Sequence, residues 1–320
     1  MAESKFPLTV SELSEEDREI AKKLYAEEFV QVGEKKWFTR KSFTKYGPEF
    51  YNFSVRSDDV WLLGYERSGT TVSQEIAWLI CNNVDVDKAK QLTLIQRFPS
   101  LEHILFYSPE ESKDEEKKIS DQIVKSYADL SEATEKRFIK SHLPFSLLPT
   151  NLTTSGCKII YLIREPKDVI TSNYVIYEKF SKIKPFVEFP VFWDAFKKNL
   201  VLWGPYFEHL KEAWKFREHE NVLVVFYDDL LNNQKEWIKK IAQFLGKNLS
   251  EENIASISEY CKKAFTKSPT ADKTDEEKFV LETGKWKKYF VGPLETEVED
   301  WINENIKDTG ICFSSKAENQ

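Results

Sequence analysis

Val60-Trp61-Leu62-Leu63-Gly64-Tyr65-Glu66-Arg67-Ser68-Gly69-Thr70-Thr71 runs from an apolar strand, through a turn bounded by two glycines, into a segment of helical spacing. In that segment Ile76, Ala77, Leu79 and Ile80 are set against Gln74, Glu75 and Asn82. Such a turn suits a phosphate. The helix start offers backbone N–H groups, Ser68, Thr70 and Thr71 offer hydroxyls, and Arg67 offers charge. The interval from Gly64 to Gly69 also matches the opening of the nucleoside-triphosphate loop, but that motif continues with Lys and then Ser or Thr. Here Thr70-Thr71 follow, which disfavours a Walker-type hydrolase or small-molecule kinase. The reading without a ligand is a hydroxyl cap on an ordinary helix.

Three further segments extend the pattern. Phe138-Ile139-Lys140 reads as a short strand entering Ser141-His142-Leu143-Pro144, where the proline keeps His142 in a strand-end loop. Lys158 to Ile163 reads as a buried strand followed by Arg164-Glu165-Pro166-Lys167-Asp168 and a helix through Ser172 to Tyr177, with Pro166 in the first turn. Val222 to Tyr227 is a strand leading through Asp228-Asp229 to a helix around Trp237, Ile238, Ile241, Phe244 and Leu245, which Gly246 ends. Strands alternating with helices predict an α/β fold, a single domain with a central, mostly parallel sheet flanked by helices. In that architecture ligands collect at the C-terminal strand ends. Arg67, Lys140, His142 and Arg164 all fall there. A neutral imidazole accepts a proton from an attacking hydroxyl, and the cations neutralise an anionic donor and its departing phosphate.

The remainder of the 320 residues restricts partners more than chemistry. A net charge of -7, with both signs mixed, offers no basic face to nucleic acid. The opening Met-Ala-Glu-Ser-Lys-Phe precedes no long apolar run, so neither a secretory signal nor a membrane span is expected, and the location read from this is cytoplasmic. Cys81, Cys157, Cys261 and Cys312 are widely spaced, so no metal is expected. A helix from Glu15 to about Val30 makes residues 1–35 an N-terminal helical extension, before a domain over 36–308 and a tail over 309–320. Glu110 to Asp121 reads as a solvated loop entering a helix, or a lid. Trp37, Phe38 and Phe43, with Tyr177, Phe180 and Phe186, suggest an apolar pocket.

Taken together, these motifs resemble the cytosolic sulfotransferase family. Tyr65 to Val72 resembles its 5′-phosphosulfate loop YPKSGTTW, Lys140 to Pro144 its KTHLP segment, Arg164 to Val169 with Ser172 its R-x-x-K-D-V…S segment, and Tyr227 to Leu230 its YEDM-like strand end. The resemblance covers roughly residues 35 to 305. It implies a P-loop-like phosphosulfate-binding turn and, as donor, 3′-phosphoadenosine 5′-phosphosulfate (PAPS), which leaves adenosine 3′,5′-bisphosphate (PAP). It also implies a sulfuryl acceptor that is a small hydrophobic phenol or alcohol, or an amine. On this chain it makes His142 the general base, with Arg67 and Lys140 at the transferring group. Ser68, Gly69, Thr70 and Thr71 would hold the 5′-phosphate, and Arg164 and Ser172 the 3′-phosphate. Val72, Tyr227 and Phe265 would lie about the adenine, with Gly284 in the last cofactor segment. No metal is implied.

Four departures mark this chain. Arg67 stands for the family lysine, Glu66 for a proline, Val72 for a tryptophan, and Phe279-Val280-Leu281 for the RKG of RKGxxGxWK, of which Gly284-Lys285-Trp286-Lys287 keeps the second half. The alternatives are therefore a binding protein of this fold with weak or lost catalysis, and a dehydratase that sulfates a hydrophobic alcohol to expel its oxygen. The family's dimer segment KxxxTVxxxE is also broken, at Val291-Gly292 and Thr296, so that interface is expected to be weak or absent.

Overall fold

Seven strands among the described residues fall into two sheets. The computed structural model describes residues 6–106, 114–180, 187–265 and 283–313. An antiparallel sheet holds β1 (Val10–Glu12), β2 (Phe29–Val32) and β3 (Trp37–Arg40). A parallel sheet holds β4 (Val60–Gly64), β5 (Phe138–Ser141), β6 (Lys158–Ile163) and β7 (Val222–Phe226) in the order β5-β4-β6-β7. This is the α/β architecture expected from the alternation of strands and helices.

Strand periodicity divides the core. Leu62, Ile160, Leu162 and Val225 face one cluster with Ile76, Ile238 and Ile257, while Trp61, Leu63, Ile159, Tyr161 and Ile163 face a larger one with Leu210 and Ala213. Both faces are covered, so β4 and β6 read as continuous apolar runs. Register brings the C-terminal ends level: Leu63 lies opposite Ser141, Gly64 opposite Leu162, and Ile163 opposite Phe226. The chain leaves β4 for β5 on one side and returns to β6 on the other, which opens a crevice above β4.

Two local readings need correction. The first helix ends at Leu24 rather than near Val30, because Tyr25 is extended and Phe29–Val32 pairs antiparallel with Trp37–Arg40. Long-range pairing of Phe29, Val30 and Val32, all buried, outweighs the local helical pattern. A cut after residue 35 therefore falls inside the β2–β3 hairpin, and residues 10–32 contain strands as well as a helix. Tyr227 opens the helix Tyr227–Asn232 instead of closing a strand. The charged interval from Glu110 is helical from Asp114, and its first residues lie outside the described ones.

Candidate active site

Between β4 and the helix Thr70–Cys81 the chain turns with two residues in left-handed conformation, Arg67 at φ 68° and Gly69 at φ 92°. Gly69 is needed twice over. A side chain would strain its backbone, and a Cβ there would lie 2.0 Å from Cδ2 of Tyr227. Ser68 is fully buried, and its Oγ has no hydrogen-bond partner. Beside it the first N–H groups of the helix lack intrahelical acceptors by geometry. A hydroxyl left unsatisfied at a helix N-terminus fits an anion and fits nothing apolar.

Across the crevice, β5 delivers His142. Its Nδ1 lies 2.6 Å from the Gly64 carbonyl, and its backbone N–H donates to Glu102 Oε1 at 2.8 Å. A carbonyl only accepts, so Nδ1 carries the proton and Nε2 keeps its lone pair. Burial first, then the Lys140 charge, push the imidazole well below its ordinary pKa. His142 is therefore a neutral base with its free nitrogen defined.

Charge is concentrated around it. Arg67 Nε donates to Ser172 Oγ at 3.0 Å, and burial, then Arg164, bring its guanidinium down to about 10, still cationic at neutral pH. Arg164 Nη1 donates to the Arg67 carbonyl at 2.8 Å and its guanidinium lies 4.8 Å from the centre of the Tyr227 ring. Glu66 lies within reach of the charges of Arg67 and Lys140. It accepts the Trp203 indole N–H at 3.2 Å, and burial raises its carboxyl to about 7. Lys140 is lowered by burial, partly offset by Glu102 and Glu66. Two guanidiniums thus lie side by side at the loop, and a lysine near Arg67 sits close to two carboxylates.

The remaining predicted residues divide. Tyr227, Phe265 and Val72 join one cluster beneath the loop, yet Val72 is only 2% exposed and offers a ligand almost no surface. Thr70 is buried and Thr71 part-exposed at the helix start. Gly284 lies at φ 80°, and its N–H is taken by both Asp168 oxygens, at 3.0 and 2.9 Å. It links the C-terminal segment to the helix Pro166–Phe180 and has no N–H left to donate. Phe279-Val280-Leu281 lies outside the described residues, as do Phe186 and the side chain of Phe180. Phe43 packs into the core with Phe6 and Phe50. Phe38 with Tyr25 and Phe29, and Tyr177 against Tyr25, form an aromatic cluster in which Phe38 is fully buried.

Sequence reasoning missed three groups. Glu102 accepts from Ser100 Oγ as well as from His142, and its Oε2 is unpartnered. His103 follows it, held down to about 3 by burial, with Nδ1 unpartnered. His209 bonds to the His142 carbonyl. The available signals were one acid inside an apolar stretch, and a histidine on the buried face of a helix with Tyr206, Leu210 and Ala213.

Residues 57–310 match the family described as Sulfotransferase domain. Sulfotransferase 1E1 of Bos taurus is 29% identical over 289 residues, covering 86% of this chain and 93% of that protein. Sulfotransferase 1 family member D1 of Mus musculus is 30% identical over 292 residues, covering 86% and 92%. Among solved structures, retinol dehydratase in complex with androsterone and the inactive cofactor PAP superposes with a TM-score of 0.86 at 33% identity, covering 96% of this chain and 98% of that one.

Proposed function

This chain belongs to the sulfotransferase family, a PAPS-dependent transferase of sulfuryl groups, and on that footing we propose how its own residues carry the reaction. The donor binds where Ser68 Oγ is unsatisfied, against the N–H groups of the helix start and between Arg67 and Arg164. When bound, PAPS supplies an activated sulfuryl group and leaves negative charge on its 5′-phosphate. Arg67 and Lys140 stabilise that growing charge, which lowers the barrier because the charge is larger in the transition state than in the ground state. His142 Nε2 takes the acceptor's hydroxyl proton, while Gly64 holds the imidazole tautomer through Nδ1.

The acceptor is a small hydrophobic phenol or alcohol. Four unpaired cysteines accord with the cytoplasm. The family dimer interface is expected to be weak here, since Gly292-Pro293 starts a helix instead of an extended pair. The observation that carries the proposal is the tautomer of His142, fixed by Nδ1 on the carbonyl of Gly64 where the strand enters a phosphate-type loop, which leaves Nε2 with its lone pair. Calorimetric titration with PAP tests the donor half, and transfer of labelled sulfate from PAPS to a phenol panel tests the whole. Failure of PAP to bind would leave a binding protein of another kind.

The likeness to retinol dehydratase favours a second outcome for an allylic alcohol. After sulfation, the carbon–oxygen bond breaks to release sulfate and a proton leaves a carbon conjugated with the double bond, giving a diene and hydrogen sulfate. Mass analysis separates the two: a retained ester supports simple transfer, and a product lighter by one water supports elimination.

A further inference from the structure

Against the backbone of His142 stands a second histidine that the chemistry above does not use. His209 is fully buried in the helix Tyr206–Trp214. Its Nε2 lies 2.9 Å from the His142 carbonyl, and its Nδ1 lies 2.6 Å from the Tyr161 hydroxyl. The carbonyl can only accept, so Nε2 carries the proton and Nδ1 takes the hydroxyl hydrogen of Tyr161. Burial holds the ring down to about 4, neutral at any working pH. The rings of Trp37 and Tyr65 meet it edge to face, at centroid distances of 6.2 and 5.5 Å.

A continuous chain of donors results. Tyr161 donates to His209, His209 donates to the carbonyl of His142, and His142 donates through Nδ1 to the carbonyl of Gly64. The two histidines have opposite tautomers, each fixed by a carbonyl. Three elements meet in this chain: β6 through Tyr161, the helix Tyr206–Trp214, and the loop after β5. Each bond removes one freedom of the base, and its far end is the loop that receives the donor.

We propose that His209, itself oriented by Tyr161, is a positioning residue that fixes the backbone of His142 so that Nε2 points at the acceptor hydroxyl. This rests on His142 being the base. Were His209 lost, the His142 carbonyl would be a buried acceptor without a partner and would move to find one. A displacement of the base by a fraction of an ångström lowers the rate without touching donor affinity.

The test compares His209→Leu, His209→Gln and Tyr161→Phe. Leucine fills the volume without a donor, and glutamine restores an N–H near the Nε2 position. His209→Leu is expected to lower the single-turnover rate roughly 10–100-fold with PAP affinity unchanged. Glutamine should recover most of that loss, and Tyr161→Phe should lose roughly 3–10-fold. Adding His209→Leu to His142→Ala should cost nothing further, because the route to the chemistry is already gone. Nuclear magnetic resonance of the imidazole protons needs no turnover: the Nδ1 proton of His142 should lose its downfield position and exchange faster in His209→Leu. If His209→Leu does not fold, Tyr161→Phe alone must show the rate loss and the proton shift. A wild-type rate and an unchanged Nδ1 proton in the folded variants would overturn the proposal, as would a multiplicative loss in the double variant.

Discussion

At the N-terminal edge of the parallel sheet, Asp59, 1% exposed, accepts two guanidinium bonds from Arg137 at 2.8 and 2.6 Å and the backbone N–H of Arg56 at 2.8 Å. Arg137 places further hydrogens on the carbonyls of Leu130 and Ser54. At the C-terminal edge of the same strands, Glu66, Arg67, Lys140, Glu102 and His142 are all displaced from their ordinary pKa values, while Ser68 Oγ, Glu102 Oε2 and His103 Nδ1 have no partner. Both edges bury charge. At one edge the buried carboxylate and Arg137 satisfy each other and so contribute to stability, whereas the other leaves a hydroxyl, a carboxylate oxygen and an imidazole nitrogen unspent and so can bind and react.

The contrast breaks most visibly at the closed edge. Arg137→Ala strands a buried carboxylate and is expected to lower stability by about 3–5 kcal/mol in denaturant titration, with PAP affinity in the folded protein unchanged within twofold. A weakened PAP site with full stability would erase the distinction between the edges. At the open edge the order reverses. Arg67→Ala removes a charged contact and should weaken PAP roughly 10–100-fold by calorimetry, while the denaturation midpoint stays near that of the wild type. Arg67→Lys sharpens this: faster turnover means the arginine is a compromise at a lysine's position, and slower turnover means that Ser172 and Arg164 have adapted to its planar fork.

A smaller effect concerns Glu66. Its carboxyl titrates at about 7, so it is mostly neutral below that pH and charged above it. An anionic donor therefore meets no repulsion on the acid side and a carboxylate on the alkaline side. PAP affinity is expected to fall by up to about tenfold between pH 6.5 and 8.5, and Glu66→Gln should flatten that fall. Parallel profiles for the two proteins would show that Glu66 does not face the donor.

The strands that place the site were legible because they are local. β4, β5, β6 and β7 are apolar runs ended by turn chemistry, and the structure moves their predicted ends by no more than one residue. The hairpin of β2 and β3 was not, since Phe29–Val32 becomes a strand only through its pairing with Trp37–Arg40. The grouping of His142, Arg67 and Arg164 just past the strand ends was legible from where the apolar runs stop. Glu102 and His209 were not, since they reach His142 from 40 and 67 residues away in the chain, a distance that periodicity does not encode. The fate of Glu66 was undetermined for a similar reason: its partner, Trp203, comes from a loop 137 residues further on.

The central claim is that a neutral His142, open at Nε2, is the base of sulfuryl transfer at the unsatisfied edge of the sheet. Single-turnover transfer from PAPS to an accepted phenol, run from pH 7.5 down to 6 in wild type and His142→Ala alongside PAP titration, tests it most directly. Because the imidazole lies well below its ordinary pKa, the wild-type rate should hold across that range. His142→Ala should be slower by roughly 10²–10⁴ with PAP affinity intact. A variant that transfers sulfate at the wild-type rate would contradict the account.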